Sequence, residues 1–357
     1  MKLAFILGTR PEIIKMSPVI RECINQKIDH FIIHSNQHYS ENMDAIFFNE
    51  LGLEPPKYNL NVGSGLHGEM TAKILTGVEK ILLDEKPDWI LVQGDTNTVM
   101  AGALAASKLQ IKIGHIEAGL RSYDRTMPEE TNRIITDHIS DALFCPTKKQ
   151  TGILLGEGIN KSKIFITGNT IVDAVFQNIK LLDKHPEFNH HQSEKYFLLT
   201  THRPSNVDSR ANLSELLSAI DKVSKKYSYP VYFPIHPRTK KQIDLFGIKI
   251  NTNQIKITEP VGYLEMLSLE KNAQLIFTDS GGIQEEACIL QVPSITLRDN
   301  TERPETLDVG ASILVGHNQQ KILSSVDKML STPRTWPNPF GDGTSTTQIL
   351  NILTNFA

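Results

Sequence analysis

One phrase recurs along the chain and narrows its fold more than any other feature: a short apolar run, a loop holding Gly or Asp, then a helical pattern. Residues 3–7 are the first such run, lead into Gly8-Thr9-Arg10-Pro11, and predict a helix from Pro11 to about Cys23. Proline suits a first helical turn, where its missing N–H is no loss. Runs at 31–34, 89–93, 113–116 and 142–145 predict further strands, and the Ala-rich stretch 99–109 a helix. The second half resumes the alternation, with strands at 196–200, 231–235, 275–278 and 294–297 and helices at 211–223 and 283–290. Strands alternating with helices imply parallel sheets with helices on both faces. The fold class is therefore α/β.

A length of 357 residues fits about two domains. The polar stretch 183–193, with His185-Pro186 and His190-His191, is the linker candidate. Two doubly wound, Rossmann-like halves would face a central cleft with the carboxyl ends of their strands, where ligands of such sheets bind. Every motif considered below closes a predicted strand or opens the helix after one.

Composition excludes several classes. Hydrophobic residues at 39% and charged residues at 22% are ordinary for a globular protein. A net charge of −3 opposes broad attraction to nucleic acid or membrane, while leaving room for a local phosphate pocket. No apolar run is long enough to cross a bilayer, and the first residues are too soon interrupted to form a signal-peptide core. Cys23, Cys145 and Cys288 lie far apart without Cys-x-x-Cys spacing, a pattern of reducing compartments without a zinc site. The twelve histidines show no His-Glu-x-x-His pattern, so no metal is expected. A cytoplasmic enzyme is the default expectation.

Ser280-Gly281-Gly282 is the clearest anion site. Its glycines admit a phosphate close to the backbone, and the following helix start offers unpaired N–H groups. Glu285 and Glu286 fall in the first turn, where acid suits the helix dipole or can accept ribose hydroxyls. The full Gly-x-Gly-x-x-Gly fingerprint of dinucleotide binding is absent. Arg10 can fork onto a diphosphate or pair with Glu12 or Glu22, and Lys15 lies about one turn further on. Arg303, in Thr301-Glu302-Arg303-Pro304-Glu305, reads as a phosphate ligand or as a tie to Glu302.

Three carboxylates are more informative as a set. Asp95 ends a strand in Gln93-Gly94-Asp95-Thr96, where a helix N-cap would also explain it. Glu117 follows His115-Ile116, and a charge between an apolar strand and Ala118-Gly119 needs a partner or a task. Glu130 opens a helix after Met127-Pro128-Glu129. Acid–base work on a sugar wants clustered carboxylates of this kind. His202 and His236 each close a strand of the second half, each readable as a structural or a functional histidine. His115, inside its strand, reads as a packing residue.

With these residues in hand, the chain closely resembles the non-hydrolysing UDP-N-acetylglucosamine 2-epimerases. The resemblance runs in order through Gly8-Thr9-Arg10-Pro11-Glu12, Gln93-Gly94-Asp95-Thr96, His115-Ile116-Glu117-Ala118-Gly119-Leu120-Arg121 and Met127-Pro128-Glu129-Glu130-Thr131-Asn132-Arg133. It continues through Thr167-Gly168-Asn169-Thr170, Thr201-His202-Arg203, Asp279-Ser280-Gly281-Gly282-Ile283-Gln284-Glu285-Glu286 and Arg298-Asp299-Asn300-Thr301-Glu302-Arg303. It implies a glycosyltransferase-B-like fold with domains at 1–175 and 176–336, and a C-terminal segment at about 337–357 packing back on the first. It also implies a homodimer, a UDP-sugar substrate and no cofactor. Carried over by position, Arg10, His202, Ser280, Gly281, Gly282 and Glu286 would hold UDP, with Lys15, Arg203, His236 and Arg303 as further binding candidates. Tyr263 matches an aromatic position that stacks on uracil. Asp95, Glu117 and Glu130 match the acid–base carboxylates, and His202 lies near the departing diphosphate. Thr167-Gly168-Asn169-Thr170 is a candidate hinge.

Two stretches depart from the bacterial pattern. Thr201-His202-Arg203-Pro204-Ser205-Asn206 stands where relatives carry Gly-His-Arg-Arg-Glu-Asn, and Gln37-His38-Tyr39-Ser40-Glu41-Asn42-Met43 lacks the Arg of a Gln-His-Arg-x-x-Met stretch. The missing Arg weighs against activation by substrate and toward relatives acting on UDP-2,3-diacetamido sugars. A hydrolysing epimerase, a transferase on the same fold and a non-catalytic UDP-sugar sensor are the other readings.

Overall fold

The computed structural model describes residues 1–36, 47–188 and 194–356. The stretch from Gln37 to Met43 lies outside them, as does the end of the linker candidate, 189–193. The chain divides into two compact units, Met1–Gln177 with Phe340–Ala357, and Asn178–Pro339. The division falls within the helix Thr170–Leu182, upstream of the polar stretch.

The first unit is built on a seven-stranded sheet: β1 (Lys2–Leu7), β2 (Asp29–His34), β3 (Tyr58–Asn59), β4 (Trp89–Gln93), β5 (Lys112–Ile116), β6 (Ala142–Cys145) and β7 (Ile164–Ile166). Its order is β3-β2-β1-β4-β5-β6-β7, and the described pairings are all parallel. The second unit repeats the plan with β8 (Phe197–Thr200), β9 (Val231–Pro234), β10 (Ile255–Thr258), β11 (Leu275–Thr278), β12 (Ser294–Thr296) and β13 (Ser312–Leu314). Its order is β10-β9-β8-β11-β12-β13, again parallel. Each sheet therefore reverses its winding once, between β1 and β4 and between β8 and β11. Sheets of this kind bind ligands outside the carboxyl ends at that reversal.

The central strands read as continuous apolar runs because helices cover both faces. Leu3, Ala4, Phe5, Ile6 and Leu7 are all fully buried. The helix Asn97–Lys108 comes close to β1 because Gly102 has no side chain; a Cβ there would sit 2.9 Å from Ile6. The helix Arg10–Asn25 starts with Pro11 in its first turn, as the sequence predicts. Among the edge strands, β3 and β10 escape a search for apolar runs, being two and four residues long and largely exposed.

The last helix, Ser345–Thr354, belongs to the first unit, where it contacts the helix Arg10–Asn25 and buries Ile349, Leu350 and Leu353. Thr346 N–H donates to the buried Asp173 carboxylate at 3.0 Å, and Asn169 N–H donates to Phe340 O at 2.8 Å. Gly168, at φ +80, is where that tie is made; a Cβ there would lie 3.0 Å from Phe340 O. This segment completes the first unit's core. Ile349→Ala should lower unfolding stability by about 2–5 kcal/mol, measured by denaturant titration; a loss below about 0.5 kcal/mol would mark the helix as peripheral.

Candidate active site

In the first unit, three acids stand on the loops after β4 and β5 and on the helix Pro128–Ile139. Glu117 adopts a left-handed backbone, φ +68, which is uncommon outside glycine and concentrates at functional sites. The backbone N–H groups of Glu117 and Ala118 both donate to Phe144 O at 3.1 Å, fixing the turn to β6. The Glu117 side chain is buried and receives the Lys15 ammonium at 2.7 Å and the Gln93 amide. The predicted binding residue Lys15 is thus a buried charge partner of a predicted acid.

The helix Pro128–Ile139 reaches the other two. Arg133 donates to Asp95, and Asn132 Nδ2 donates to Asp95 O at 2.9 Å. Glu130 accepts from Ser122 N–H at 2.8 Å, Ser122 Oγ–H at 2.9 Å and Tyr123 N–H at 3.0 Å. Burial works to raise the Glu130 carboxyl, but these hydrogen bonds and the charge of Arg133 outweigh it and hold it below its ordinary value.

Arg10 is exposed and pairs with neither Glu12 nor Glu22; its guanidinium lies 5.4 Å from the Phe47 ring centroid. Glu12 turns inward instead and accepts from Gly8 N–H at 2.6 Å and Thr9 Oγ–H at 3.1 Å. It clamps the loop from which Arg10 emerges.

In the second unit, the loop after β8 is organised by Asp279 at the end of β11. This fully buried carboxylate accepts from Thr201 Oγ–H at 2.7 Å, the N–H groups of His202 and Arg203 at 2.9 Å, and Asn206 Nδ2 at 3.0 Å. His202 Nδ1 lies 3.2 Å from Asp279, and its ring is 5.2 Å from that of His236. Burial lowers the His202 pKa, with Arg203, Arg238 and Arg298 adding to the effect and Asp279 opposing it. Burial and then His202 lower that of His236, whose Nδ1 accepts from Arg238 N–H at 3.1 Å and caps the next helix. The Arg203 Nε is buried without a hydrogen-bond acceptor among the described residues.

Ser280 caps the helix Gly281–Ile289 by accepting from Ile283 N–H. Neither Gly281 nor Gly282 has a positive φ, and a Cβ on either would meet nothing nearer than 3.8 Å. The fold itself does not require glycine there. Glu286 accepts from the Tyr263 hydroxyl at 2.9 Å; the Tyr263 ring is 8% exposed, so the predicted base-stacking residue is tied to the predicted ribose acceptor. Glu270, buried beside them, is pushed well up by burial and by Glu286. Arg303 turns to Glu285 at 2.7 Å, while Glu302 is held by Arg298 through two hydrogen bonds of 2.8 Å. Arg303 reaches only the backbone carbonyl of Glu302.

Sequence reasoning missed the carboxylates that hold this machinery, Glu12, Asp137 and Asp279, although each stands within or beside a quoted motif. It also took His115 for a packing residue. Its Nδ1 lies 2.7 Å from Asp137 and its Nε2 2.9 Å from Gly94 O. A buried polar side chain needs such partners, but they come from β4 and from a helix about twenty residues on. Among the described residues no group of three or more His, Cys, Asp or Glu is gathered as a metal site, and no helix is long and apolar enough to cross a membrane.

Two doubly wound parallel sheets, each with polar loops at its winding reversal, define the chain as a glycosyltransferase-B-like α/β protein. It belongs to the UDP-N-acetylglucosamine 2-epimerase family, whose model matches residues 21–354. It is 61% identical to a UDP-N-acetylglucosamine 2-epimerase of Methanococcus maripaludis over 99% of this chain and 98% of that protein. It is similar to the crystal structure of Methanocaldococcus jannaschii UDP-GlcNAc 2-epimerase in complex with UDP-GlcNAc and UDP, at TM-score 0.89 and 59% identity over 99% of each chain. It is also 39% identical to the UDP-2,3-diacetamido-2,3-dideoxy-D-glucuronate 2-epimerase of Pseudomonas aeruginosa, over 99% of both chains.

Burial raises the Glu12 carboxyl to about 7 against the hydrogen bonds that it accepts. In the window from about 4.5 to 7 the folded chain keeps this proton and the unfolded chain releases it, so this contribution to stability is full at low pH and lost as pH rises. Its loss is on the order of 3 kcal/mol. Glu12→Gln keeps an acceptor but cannot ionise. Thermal unfolding at pH 5 and pH 8 should show the variant gaining on the wild type as pH rises; a constant difference would contradict this.

Proposed function

We propose that the chain interconverts UDP-N-acetylglucosamine and UDP-N-acetylmannosamine by inverting C2 of the sugar, and that it does so without hydrolysis. The observation that carries this reading is that one helix bears Glu130 and holds Asp95 through Arg133 and Asn132, while Glu117, on the loop after the neighbouring strand, is strained and ion-paired. The membership in the family and the 61% relative support it.

A C2 proton beside an acetamido carbon is not acidic enough for direct removal, and no neighbouring ketone assists. Expelling UDP solves this. The C1–O bond breaks with its electron pair leaving on the diphosphate, and positive charge develops at C1. A carboxylate then takes the C2 proton, and the C–H electrons form the C1=C2 double bond of 2-acetamidoglucal. Protonation from the opposite face and return of UDP to C1 complete the inversion.

Glu117 and Asp95 are assigned the two proton transfers. The Lys15 ammonium and the Arg133 guanidinium balance the charge each carries as a base. Glu130, saturated by donors and held low, orders the turn at Ser122 and Tyr123 and positions sugar hydroxyls. In the second unit, Ser280, Gly281 and Gly282 offer the diphosphate a helix start, His202, Arg203 and His236 answer its growing charge, and Glu286 takes the ribose with Tyr263 behind it. Arg303 adds to the cations of this unit, and Arg10 is the exposed cation of the first unit's strand-end loop. A homodimer working in a reducing, cytoplasmic setting belongs to the same reading; the three cysteines are free and buried.

A UDP-2,3-diacetamido sugar is the second reading, favoured by the 39% relative. The 61% relative outweighs it.

Incubation with UDP-N-acetylglucosamine in D2O, without NAD or an acceptor, should place deuterium at C2 in both intact UDP-sugars, read by proton NMR. Release of free N-acetylmannosamine would instead mark a hydrolase, and an unchanged C2 a transferase or a sensor. Glu117→Gln should slow that exchange by about 10²–10⁴-fold with UDP affinity intact; equal loss of both would make Glu117 structural. Gly281→Ala and Gly282→Ala should keep or raise the melting temperature yet weaken UDP binding about tenfold or more in calorimetry. Unchanged affinity would remove this helix start from the nucleotide site.

A further inference from the structure

The loops that carry Asp95 and Glu117 leave adjacent strands, β4 and β5, and a buried polar chain ties them together. His115 on β5 is 1% exposed, and each of its ring nitrogens faces an acceptor. Nε2 lies 2.9 Å from the carbonyl of Gly94, the residue before Asp95. Nδ1 lies 2.7 Å from Asp137 Oδ1. Asp137, on the helix that bears Glu130 and Arg133, also accepts from the N–H of Gly119 at 3.2 Å and from Arg121 at 2.7 Å. Arg121 in turn makes two hydrogen bonds to Glu157, at 2.6 and 2.8 Å.

Donor counting orients the ring. A carbonyl oxygen can only accept, so Nε2 carries a hydrogen. Oδ2 of Asp137 receives both a backbone N–H and a guanidinium, which is the environment of an ionised carboxylate. Burial works to raise that carboxyl, but the charges and hydrogen bonds of His115 and Arg121 outweigh it and hold it below its ordinary value. Nδ1 therefore faces a carboxylate, and a ring in polar contact at both nitrogens is held in one orientation. Arg121 pairs with the same carboxylate.

The turn on the other side is under strain. Glu117 and Gly119 both have positive φ, and a Cβ on Gly119 would come 2.8 Å from Gln150 O. The Asp137 carboxylate holds that turn by Gly119 N–H.

We propose that His115, buried and bridged to Asp137 and the Gly94 carbonyl, is a positioning residue that fixes the Gly94–Asp95 turn against the Glu117–Gly119 turn and so sets the separation of the two proton-transferring carboxylates. The inference rests on the assignment of Asp95 and Glu117 as those acids. It predicts a loss in the chemical step without a loss of nucleotide, because neither residue of the bridge is among those assigned to UDP.

The test has two arms. In protein labelled with ¹⁵N-histidine, the His115 ring, assigned by its loss in His115→Gln, should show Nε2 protonated and hydrogen-bonded. A ring whose Nε2 carries no hydrogen would overturn the proposal. In the second arm, His115→Phe and Asp137→Asn should lower kcat for C2 deuterium exchange by about 100-fold, as misplacement of reacting groups by about an ångström does. UDP affinity and KM should stay within about twofold of wild type. His115→Gln, which still donates to Gly94 O, should recover part of the rate. Unchanged kcat in both bridge variants, or equal loss of kcat and UDP affinity, would overturn the proposal; if one variant fails to fold, the other and the ring protonation decide. Wild-type protein that exchanged no C2 deuterium would defeat the proposed reaction instead, and the ring arm would still decide the bridge.

Discussion

Buried carboxylates that grip backbone N–H groups are the constraint on which this chemistry depends. Asp279 holds the loop of His202 and Arg203 in one unit, Asp137 holds the Glu117 turn in the other, and Glu12 holds the loop before Arg10. Strand-end loops in doubly wound sheets have little apolar surface with which to fix themselves. An acceptor with several lone pairs, kept dry by the sheet beneath, takes the donors that the loop cannot pair internally. Losing such an acceptor strands several donors together, which costs more than one hydrogen bond is worth.

The same logic explains why the acids are held by a rigid element. The helix Pro128–Ile139 contributes Glu130, the partners of Asp95, and Asp137, so one body of backbone carries the geometry of all three loops. Its buried face is closed by its own side chains: Thr136 Oγ–H returns to Asn132 O at 2.8 Å, and Ser140 Oγ–H to Thr136 O at 2.7 Å. Strain at Glu117 persists because Phe144 O takes two N–H groups from its turn. By contrast, Gly281 and Gly282 are unconstrained by their neighbours, and small size there leaves bare N–H groups at a helix start.

Much of the fold was legible because buried parallel strands write themselves as uninterrupted apolar runs, as at 3–7, 89–93 and 113–116. Strands at the sheet edges were not, since Tyr58–Asn59 and Ile255–Thr258 show the solvent side of a strand and little else. The helix His67–Glu85 could have been found: Met70, Ile74, Val78 and Leu82 recur every four residues on its buried face. At the site, residue types and strand-end positions pointed to Asp95, Glu117, Glu130 and His202, but partners did not. Whether His115 meets Leu91 or Asp137, and whether Glu12 faces Arg10 or Gly8, is decided by register and by helix rotation, which no local pattern encodes.

The central claim is that Glu117 and Asp95 move the C2 proton of a UDP-sugar's hexose. A crystal structure with UDP and 2-acetamidoglucal bound measures this directly. The account predicts glycal C2 within about 3–3.5 Å of a carboxylate oxygen of Glu117 or Asp95. A glycal whose C2 is remote from both carboxylates, with the nucleotide in place, would contradict it.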